Sequence, residues 1–154
     1  MSKEDEEDGI VGINETEGVV ISNCFNAGNI TYGGYDSYAG GIIGRNTKTI
    51  TINNCYNIGE LIKDTTQSFK TEARGGILGS EQGTTTLNKC YYLITEGVTQ
   101  AIKGTDDDTT VVTSCTNKSE ITAQELNNNI NSITHEEEWK TWEEGSEYPI
   151  LKFD

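Results

Sequence analysis

The sequence predicts an all-β protein, a parallel β-helix of about four coils followed by a short C-terminal helix and a capping segment. The main observation is a pattern of glycine, two aliphatic residues and glycine that recurs along the chain and is each time followed by one cysteine. Successive cysteines are separated by 31, 35 and 25 residues, a period typical of solenoids in which each repeat stacks on the next. The four copies of the pattern begin at Gly9, Gly41, Gly76 and, in a degenerate form, Ala101.

A second observation is the apolar pattern that precedes each cysteine. An aliphatic residue stands three positions before the cysteine, and an aliphatic residue or threonine stands five before it, so both lie on one face of a strand. In a straight strand the cysteine would point to the opposite face from these residues. The chain must therefore bend just before the cysteine if its side chain is to be buried as well. The residues at this bend include asparagine, which tolerates turn geometry. The residues three before the cysteines are Ile21, Ile52, Leu87 and Val112.

Asparagine and glycine follow the first two cysteines and predict a second corner, which leads to a third short strand in each repeat. Ile30, Leu61 and Ile121 stand six residues after a cysteine and are predicted to point inward in that strand. The third repeat departs from the pattern, and there Ile94 or Val98 is expected to fill the gap. A β-sandwich also suits short strands with frequent turns and stays open as the alternative fold.

Composition limits the size of the core and the choice of partners. Only 33% of the 154 residues are apolar, which favours a thin core renewed in every coil. The net charge is −14, so a nucleic acid would be repelled. No apolar run is long enough to span a membrane, and no signal peptide is visible.

The charge is concentrated at the two ends of the chain and suggests three segments. Residues 1–8 are predicted to be a disordered acidic lead, residues 9–120 to form the β-helix repeats, and residues 121–154 to form the helix and cap. The acidic lead is interpreted as the edge of a fragment of a longer polypeptide, with a native cytosolic start as the alternative.

The C-terminal segment is predicted to cover the open end of the last coil. Residues 122–130 indicate a short helix, because Thr122 and Glu125 form a capping box and Leu126 and Ile130 share a face. The large apolar residues beyond the helix are expected to fold over the exposed core. Stacking of a sugar ring on Trp139 or Trp142 is the functional alternative.

The repeats resemble the GLUG repeat, which occurs in tandem in bacterial surface and secreted proteins and beside immunoglobulin A1 metallopeptidases. The resemblance covers nearly all of residues 9–154 and also includes the segment from Trp142 to Lys152. It implies an exported β-helical module and does not imply peptidase activity, because the catalytic zinc motif has no counterpart here. The resemblance is carried best by Gly41-Ile42-Ile43-Gly44 and by Asn54-Cys55-Tyr56-Asn57-Ile58-Gly59.

The cysteines are predicted to stack as reduced, buried thiols, because in-register parallel strands point equivalent side chains the same way. One or two disulfides, with three possible pairings, are the alternative in an exported chain. A zinc site is disfavoured, since no Cys-x-x-Cys is present and the single histidine, His135, lies outside the repeats. The predicted structural ladder consists of Cys24, Cys55, Cys90 and Cys115 together with Gly12, Gly44, Gly79 and Gly104.

The glycine-rich loop at residues 31–38 is the best candidate for ligand binding, because Tyr32, Tyr35 and Tyr38 can offer flat apolar contact with a polar tip. Such a loop more often packs on itself, so binding is the alternative interpretation here. The insertion at residues 63–74 carries no chemical signature. Asp106–Asp108 lack the spaced ligands of a calcium loop, and a solvated acidic turn is expected there.

The sequence therefore predicts a non-catalytic stalk or adhesive unit of a bacterial cell-surface or secreted protein, without cofactor or metal. We expect this unit to adjoin further domains of a longer chain, not to insert into membranes and not to bind nucleic acid. A domain that binds a host glycan or host protein is the alternative function. A fragment of a carbohydrate-active enzyme is a third, since such enzymes also use β-helices, but fold analogy alone does not favour it.

Overall fold

The computed structural model describes residues 4–94, 98, 100–102, 111–112, 115–117, 120–134 and 142–152. Short β-strands make up most of this part of the chain, and one α-helix lies near its end. The first repeat contains β1 (Glu4–Asp8), β2 (Val11–Asn14), β3 (Val19–Ser22), β4 (Phe25–Asn26) and β5 (Ile30–Tyr32). The second contains β6 (Asp36–Gly40), β7 (Ile43–Asn46), β8 (Thr49–Asn53), β9 (Tyr56–Asn57) and β10 (Leu61–Lys63). The remaining elements are β11 (Thr71–Gly75), β12 (Leu78–Glu81), β13 (Thr84–Asn88), β14 (Cys90–Tyr92), β15 (Val111–Val112), β16 (Cys115–Asn117), α1 (Ala123–Thr134), β17 (Trp142–Glu144) and β18 (Pro149–Leu151).

All the described sheets but one are parallel, and each parallel sheet pairs equivalent strands of successive repeats. In spatial order the parallel sheets are β1-β6-β11, β2-β7-β12, β3-β8-β13-β15, β4-β9-β14-β16 and β5-β10. The exception is the antiparallel pair β17–β18. Parallel pairing of equivalent strands is consistent with a β-helix and differs from a β-sandwich, whose sheets are antiparallel. The number of coils stays a prediction.

Each of the first two repeats folds into five strands and not into the three that the sequence predicted. One additional corner is the glycine pattern itself, where the chain bends at Gly41 and Ile42 between β6 and β7. The amides of Ile42 and Ile43 both donate to the carbonyl of Ile77 in the next repeat, each at 3.0 Å. In the following repeat, the amides of Ile77 and Leu78 likewise both donate to the carbonyl of Ala101. The recurring pattern thus encodes a bend in the backbone.

The first glycine of the pattern allows a close approach inside the repeat. A Cβ atom on Gly41 would overlap the side chain of Asn57 and the carbonyl oxygen of Gly76. In the third repeat, a Cβ atom on Gly76 would overlap the ring of Tyr92, which has the same register position as Asn57. The glycine therefore makes room for the side chain that stands two residues after the cysteine.

The predicted bend is confirmed before Cys24, Cys55 and Cys90, whereas the residues just before Cys115 lie outside the described part of the chain. Asn23, Asn54 and Lys89 have φ values of 56°, 52° and 53°, in the left-handed region that asparagine tolerates better than most residues. The asparagines also stack, because Asn54 Nδ2 donates to Asn23 Oδ1 at 2.8 Å. At the next position of this column the residue is Lys89 and not asparagine. The buried Oδ1 of Asn54 accepts no hydrogen bond from any described residue. The column is therefore incomplete at the third repeat.

The interior of the repeats is an apolar column built from stacked equivalents. Its main cluster comes from β3, β7, β8 and β12–β14, and a second cluster lies beside β5, β6 and β10. Complete burial of one such aliphatic side chain stabilises the fold by about 1.5–3 kcal/mol. The main cluster consists of Ile21, Ile42, Ile43, Ile50, Ile52, Cys55, Ile77, Leu78, Leu87, Cys90 and Tyr92.

The fourth repeat is paired one residue away from the alignment that the sequence suggested. Ile102 pairs with Leu78, whereas the alignment had placed it against Ile77. The amide of Ile77 donates to the carbonyl of Ala101 at 2.9 Å, which fixes the same register. The suggested alignment would have put Lys103 over the buried Leu78. The observed register keeps apolar residues above apolar residues, and this constraint outweighs the match of the glycines.

Val98 fills the gap expected in the third repeat, and it is one of the two residues predicted for that place. It is 1% exposed and packs in the cluster of Ile30 and Leu61, whereas Ile94 is 51% exposed. Ile121 does not extend this cluster as predicted. It packs against the cluster that contains α1, because the chain leaves the repeats at this point to enter the helix.

Residues 1–8 were predicted as a disordered acidic lead, but the structure describes Glu4–Asp8 as strand β1. This strand pairs in parallel with β6, so that Glu4 is opposite Asp36 and Asp8 is opposite Gly40. Backbone hydrogen bonds do not depend on the side chains, and the edge of β6 can therefore pair even with an acidic segment. The segment boundaries after residues 8 and 120 stay predictions.

The predicted C-terminal helix is confirmed as α1, which extends beyond Ile130 to Thr134. Thr122 Oγ1 accepts the amide hydrogen of Glu125 at 3.2 Å and caps its N-terminus. Leu126 and Ile130 lie buried on one face, as their spacing predicted. In the described residues no helix is long and apolar enough to cross a bilayer.

The C-terminal tail, described at residues 121–134 and 142–152, lies along the side of the repeats. The prediction from the sequence was that it covers their open end. The tail packs on the aromatic residues that directly follow the first three cysteines, namely Phe25, Tyr56 and Tyr91. The Trp142 ring lies 5.8 Å from that of Phe25 and 5.4 Å from that of Tyr56. Asn129 Nδ2 donates to Tyr91 Oη at 2.8 Å. This aromatic column is a large apolar surface, and its cover by the tail removes it from water.

The incomplete asparagine column leads to a prediction about stability. Lys89→Asn should raise the free energy of unfolding by about 1 kcal/mol, because asparagine suits the positive φ and its amide can donate to Asn54 Oδ1. Urea unfolding followed by circular dichroism measures the change. Lys89→Gly is the matched control, since it relieves the backbone without supplying an amide. If the two variants are equally stable, the column contributes nothing at this position.

Candidate functional site

The predicted cysteines occupy equivalent positions of successive repeats. The residues after Cys24, Cys55 and Cys90 are paired in register, and Cys115 pairs directly with Cys90. The amide of Cys24 donates to Cys55 Sγ at 3.4 Å. Cys24, Cys55 and Cys90 are free thiols, so these three residues form a column of sulfur atoms without a disulfide.

A shared hydrogen bond gives the cysteines a structural role. Each of the three thiols donates to the carbonyl oxygen two residues earlier, at the corner created by the residue with positive φ. A small, weakly polar side chain satisfies this carbonyl and still packs as an apolar group. Recurrence of cysteine is therefore explained by the geometry of the corner. The three bonds are Cys24 to Ser22 at 3.3 Å, Cys55 to Asn53 at 3.2 Å and Cys90 to Asn88 at 3.5 Å.

The glycines named with the cysteines also stack. Gly12, Gly44 and Gly79 are in register, because the residues on either side of them are paired between β2, β7 and β12. A Cβ atom on Gly79 would come within 2.6 Å of the carbonyl oxygens of Ala39 and Gly44. Gly104 lies outside the described residues.

Acidity differs along the sulfur column. Burial raises the pKa of the Cys90 thiol to about 12 and raises that of Cys55 well above its usual range. A hydrogen bond with Cys55 lowers the pKa of Cys24, which is only partly buried on the first repeat. Of these three thiols, Cys24 therefore has the largest reactive thiolate fraction near neutral pH.

The structure does not bring the three candidate tyrosines to one exposed surface. Tyr32 and Tyr38 are buried, whereas Tyr35 is 48% exposed. The Lys70 ammonium lies 5.5 Å from the centre of the Tyr35 ring, and the Arg45 guanidinium lies 5.2 Å from that of Tyr38. Of the three rings, Tyr35 alone is available to a large ligand.

Tyr32 anchors a partly buried ionic cluster that was not predicted from the sequence. Its hydroxyl donates to Glu72 Oε1 at 2.7 Å and accepts from Arg74 Nη1 at 2.5 Å. Lys63 forms an ion pair with Glu72. Burial opposes ionisation of Glu72, but hydrogen bonds from Lys63 and Tyr32 hold its pKa below the usual range. The insertion at residues 63–74 is thus tied to the repeats, and the signal in its sequence was the mixture of acidic and basic residues.

Of the two candidate tryptophans, the structure describes Trp142, and this ring is not an exposed platform for sugars. Trp142 is 3% exposed, and its ring packs in the aromatic column. Its backbone is held by Asn127, whose Nδ2 donates to the Trp142 carbonyl at 2.9 Å and whose Oδ1 accepts the Trp142 amide at 3.0 Å. Trp139 lies outside the described residues.

A buried carboxyl group ends a second polar column. Asn14, Asn46 and Glu81 are in register, and Asn14 Nδ2 donates to Asn46 Oδ1 at 2.8 Å. Glu81 is 2% exposed and accepts from Asn46 Nδ2 at 3.2 Å, from the Gly83 amide at 2.9 Å and from Thr85 Oγ1. Burial raises the pKa of Glu81 despite these hydrogen bonds. No pattern in the sequence indicated this group, because Glu81 replaces the asparagine of the earlier repeats.

Within the described residues, no group of three or more histidine, cysteine or acidic side chains could hold a metal ion. Asp106–Asp108 and His135 lie outside these residues.

The chain is similar to a solved protein structure. No protein-family model and no curated protein sequence matches the chain. The solved structure is described as "a putative immunoglobulin A1 protease from Bacteroides ovatus", and it superposes with a TM-score of 0.53 at 22% sequence identity. The match covers 98% of this chain and 55% of the other, so the chain spans about half the length of that protein. At this identity the similarity supports the fold alone, and the resemblance to the GLUG repeat stays a prediction.

The sulfur column predicts that thiol reactivity is selective. Iodoacetamide should modify Cys24 of the folded protein and leave Cys55 and Cys90 intact, and the rate at Cys24 should rise with pH at a midpoint below that of an ordinary thiol. Peptide mass spectrometry after short reaction times measures each site. Cys55→Ala should move the midpoint upward, and Cys90→Ala should not. The same midpoint in all three proteins would show that Cys55 does not set the acidity of Cys24.

The buried Glu81 predicts a pH-dependent contribution to stability. Its pKa in the folded state exceeds its ordinary value of 4.5, so the unfolded chain loses the proton first as the pH rises. The free energy of unfolding should therefore fall from about pH 4.5 up to the folded-state pKa and stay level above it. Glu81→Gln should lack this fall in urea titrations at successive pH values. Glu60→Gln, at an exposed position, should retain it, and parallel profiles for Glu81→Gln and the parent would contradict the assignment.

Proposed function

We propose that the chain is a non-catalytic repeat module, a β-helix of about four coils that acts as a stalk or adhesive unit in a bacterial cell-surface or secreted protein. The supporting observation is that the recurring residues contact one another or their own repeat. The cysteine thiols bond to corner carbonyls, the asparagines stack, and the glycines accommodate side chains and bends. Stacking alone accounts for this recurrence, so the pattern does not call for a reaction centre.

The similar structure supports the proposed setting. It is a bacterial protein described by reference to immunoglobulin A1, which is an extracellular host protein, and this chain matches about half of it. A module that occupies part of a longer exported protein fits both facts. That the module adjoins further domains of such a longer protein is part of the proposal.

Binding of a host glycan or host protein is the second candidate function. The observation that favours it is the exposed ring of Tyr35, which lies on a glycine-rich loop and has the flat apolar surface that sugars and proteins both use. Tyr32, Tyr38 and Trp142 are buried, so among the described candidate rings Tyr35 alone can make such a contact.

A glycan array separates the two functions. The stalk function predicts that the labelled protein gives no saturable signal above background on any glycan. Glycan binding through the loop predicts a signal that Tyr35→Ala abolishes. Ile62→Ala is the matched control, because Ile62 is also a large exposed apolar residue, at 41%. A saturable signal lost in Tyr35→Ala and kept in Ile62→Ala would overturn the stalk function and support the alternative.

A further inference from the structure

A cleft opens between the repeats and the C-terminal tail. Its volume is about 400 Å³, at the lower end of the range of ligand pockets. One wall comes from β9 and the segment after β14, and the other comes from the entry to α1 and the turn before β18. The lining residues are Tyr56, Ile58, Leu93, Glu120, Ile121, Glu147, Tyr148 and Pro149.

The chemistry of the cleft combines an apolar floor with two carboxylates. Glu120 and Glu147 are both exposed, and neither forms a hydrogen bond or ion pair with the described part of the chain. Among the described residues, no basic side chain lines the cleft. The Tyr56 hydroxyl is already used, since it donates to the carbonyl of Pro149. The two glutamates are therefore the groups that are free to recognise a ligand.

We propose that this cleft binds a lysine or arginine side chain of a partner polypeptide. The methylene stem of such a side chain can lie on Ile58, Leu93 and Ile121, while its cationic head meets the carboxylates. The half-buried ring of Tyr148 lines the same cleft, and a tyrosine ring also attracts a cation. Both ends of a basic side chain thus find complementary groups.

The overall charge indicates a polypeptide as the source of this side chain. The chain carries 25 acidic and 11 basic residues, so its field attracts basic proteins and repels a second copy of itself. A polypeptide also supplies contacts on either side of the inserted residue, which a free amine does not. This site adds to the proposed function and does not depend on it.

The experiment uses the full chain labelled for NMR and a blocked decapeptide of alternating lysine and alanine. Titration should produce saturable shifts of the Ile58, Leu93 and Ile121 methyl signals. Glu120→Gln and Glu147→Gln should each weaken binding about two- to fivefold, the range for a partly exposed ion pair. The same peptide with acetylated lysines should not bind, because acetylation removes the charge.

Glu143→Gln is the matched control, since Glu143 is an exposed glutamate on the same hairpin outside the cleft. It removes the same charge and should leave the affinity unchanged. Equal losses in all three variants would indicate general attraction to an acidic surface and would overturn the site. Shifts that fall elsewhere in the protein would do the same. Equally tight binding of spermidine would overturn the polypeptide as the ligand.

Discussion

The rest of the structure depends on parallel backbone pairing between equivalent strands of successive repeats. This pairing places each side chain directly above its counterpart, so a residue type that suits one position must also suit contact with itself. Aliphatic residues meet this condition by packing, and asparagines meet it by donating from one amide to the next. The corners between strands add a second condition, because their backbone needs positive φ or a close approach. Together these two conditions explain why so few residue types recur.

Features of the fold that repeat were predictable from the sequence, because the same local physics acts several times. The bend before the cysteines followed from the opposite parity of Ile52 and Cys55, and the helix cap followed from Thr122 and Glu125. The loss of pattern in one repeat indicated that another residue replaces the inward one, but left Ile94 and Val98 as alternatives. The strand count was missed, because the bend at Gly41 depends on two amides that share one carbonyl and leaves no separate trace in the apolar pattern.

Features that depend on a single contact between distant segments were not predictable. The position of the tail was inferred from the general need to cover an open end, but the aromatic residues after the cysteines present a larger apolar surface at the side. Phe25, Tyr56 and Tyr91 were visible as a series, yet nothing local indicates that they meet the tail. The burial of two candidate binding residues was not predictable for the same reason, since Tyr32 and Trp142 are covered by segments distant in sequence.

The tail that spans the side of the repeats changes how the molecule should come apart. In most solenoids a repeat interacts only with its neighbours, and the array can fray from one end. Here one hairpin touches aromatic rings from the first and second repeats, and the helix beside it touches the third. Unfolding of any one of these repeats would expose part of the tail to water. The free energy of unfolding of each repeat therefore includes its contacts with the tail. The array is thereby converted from a row of semi-independent units into a single cooperative one.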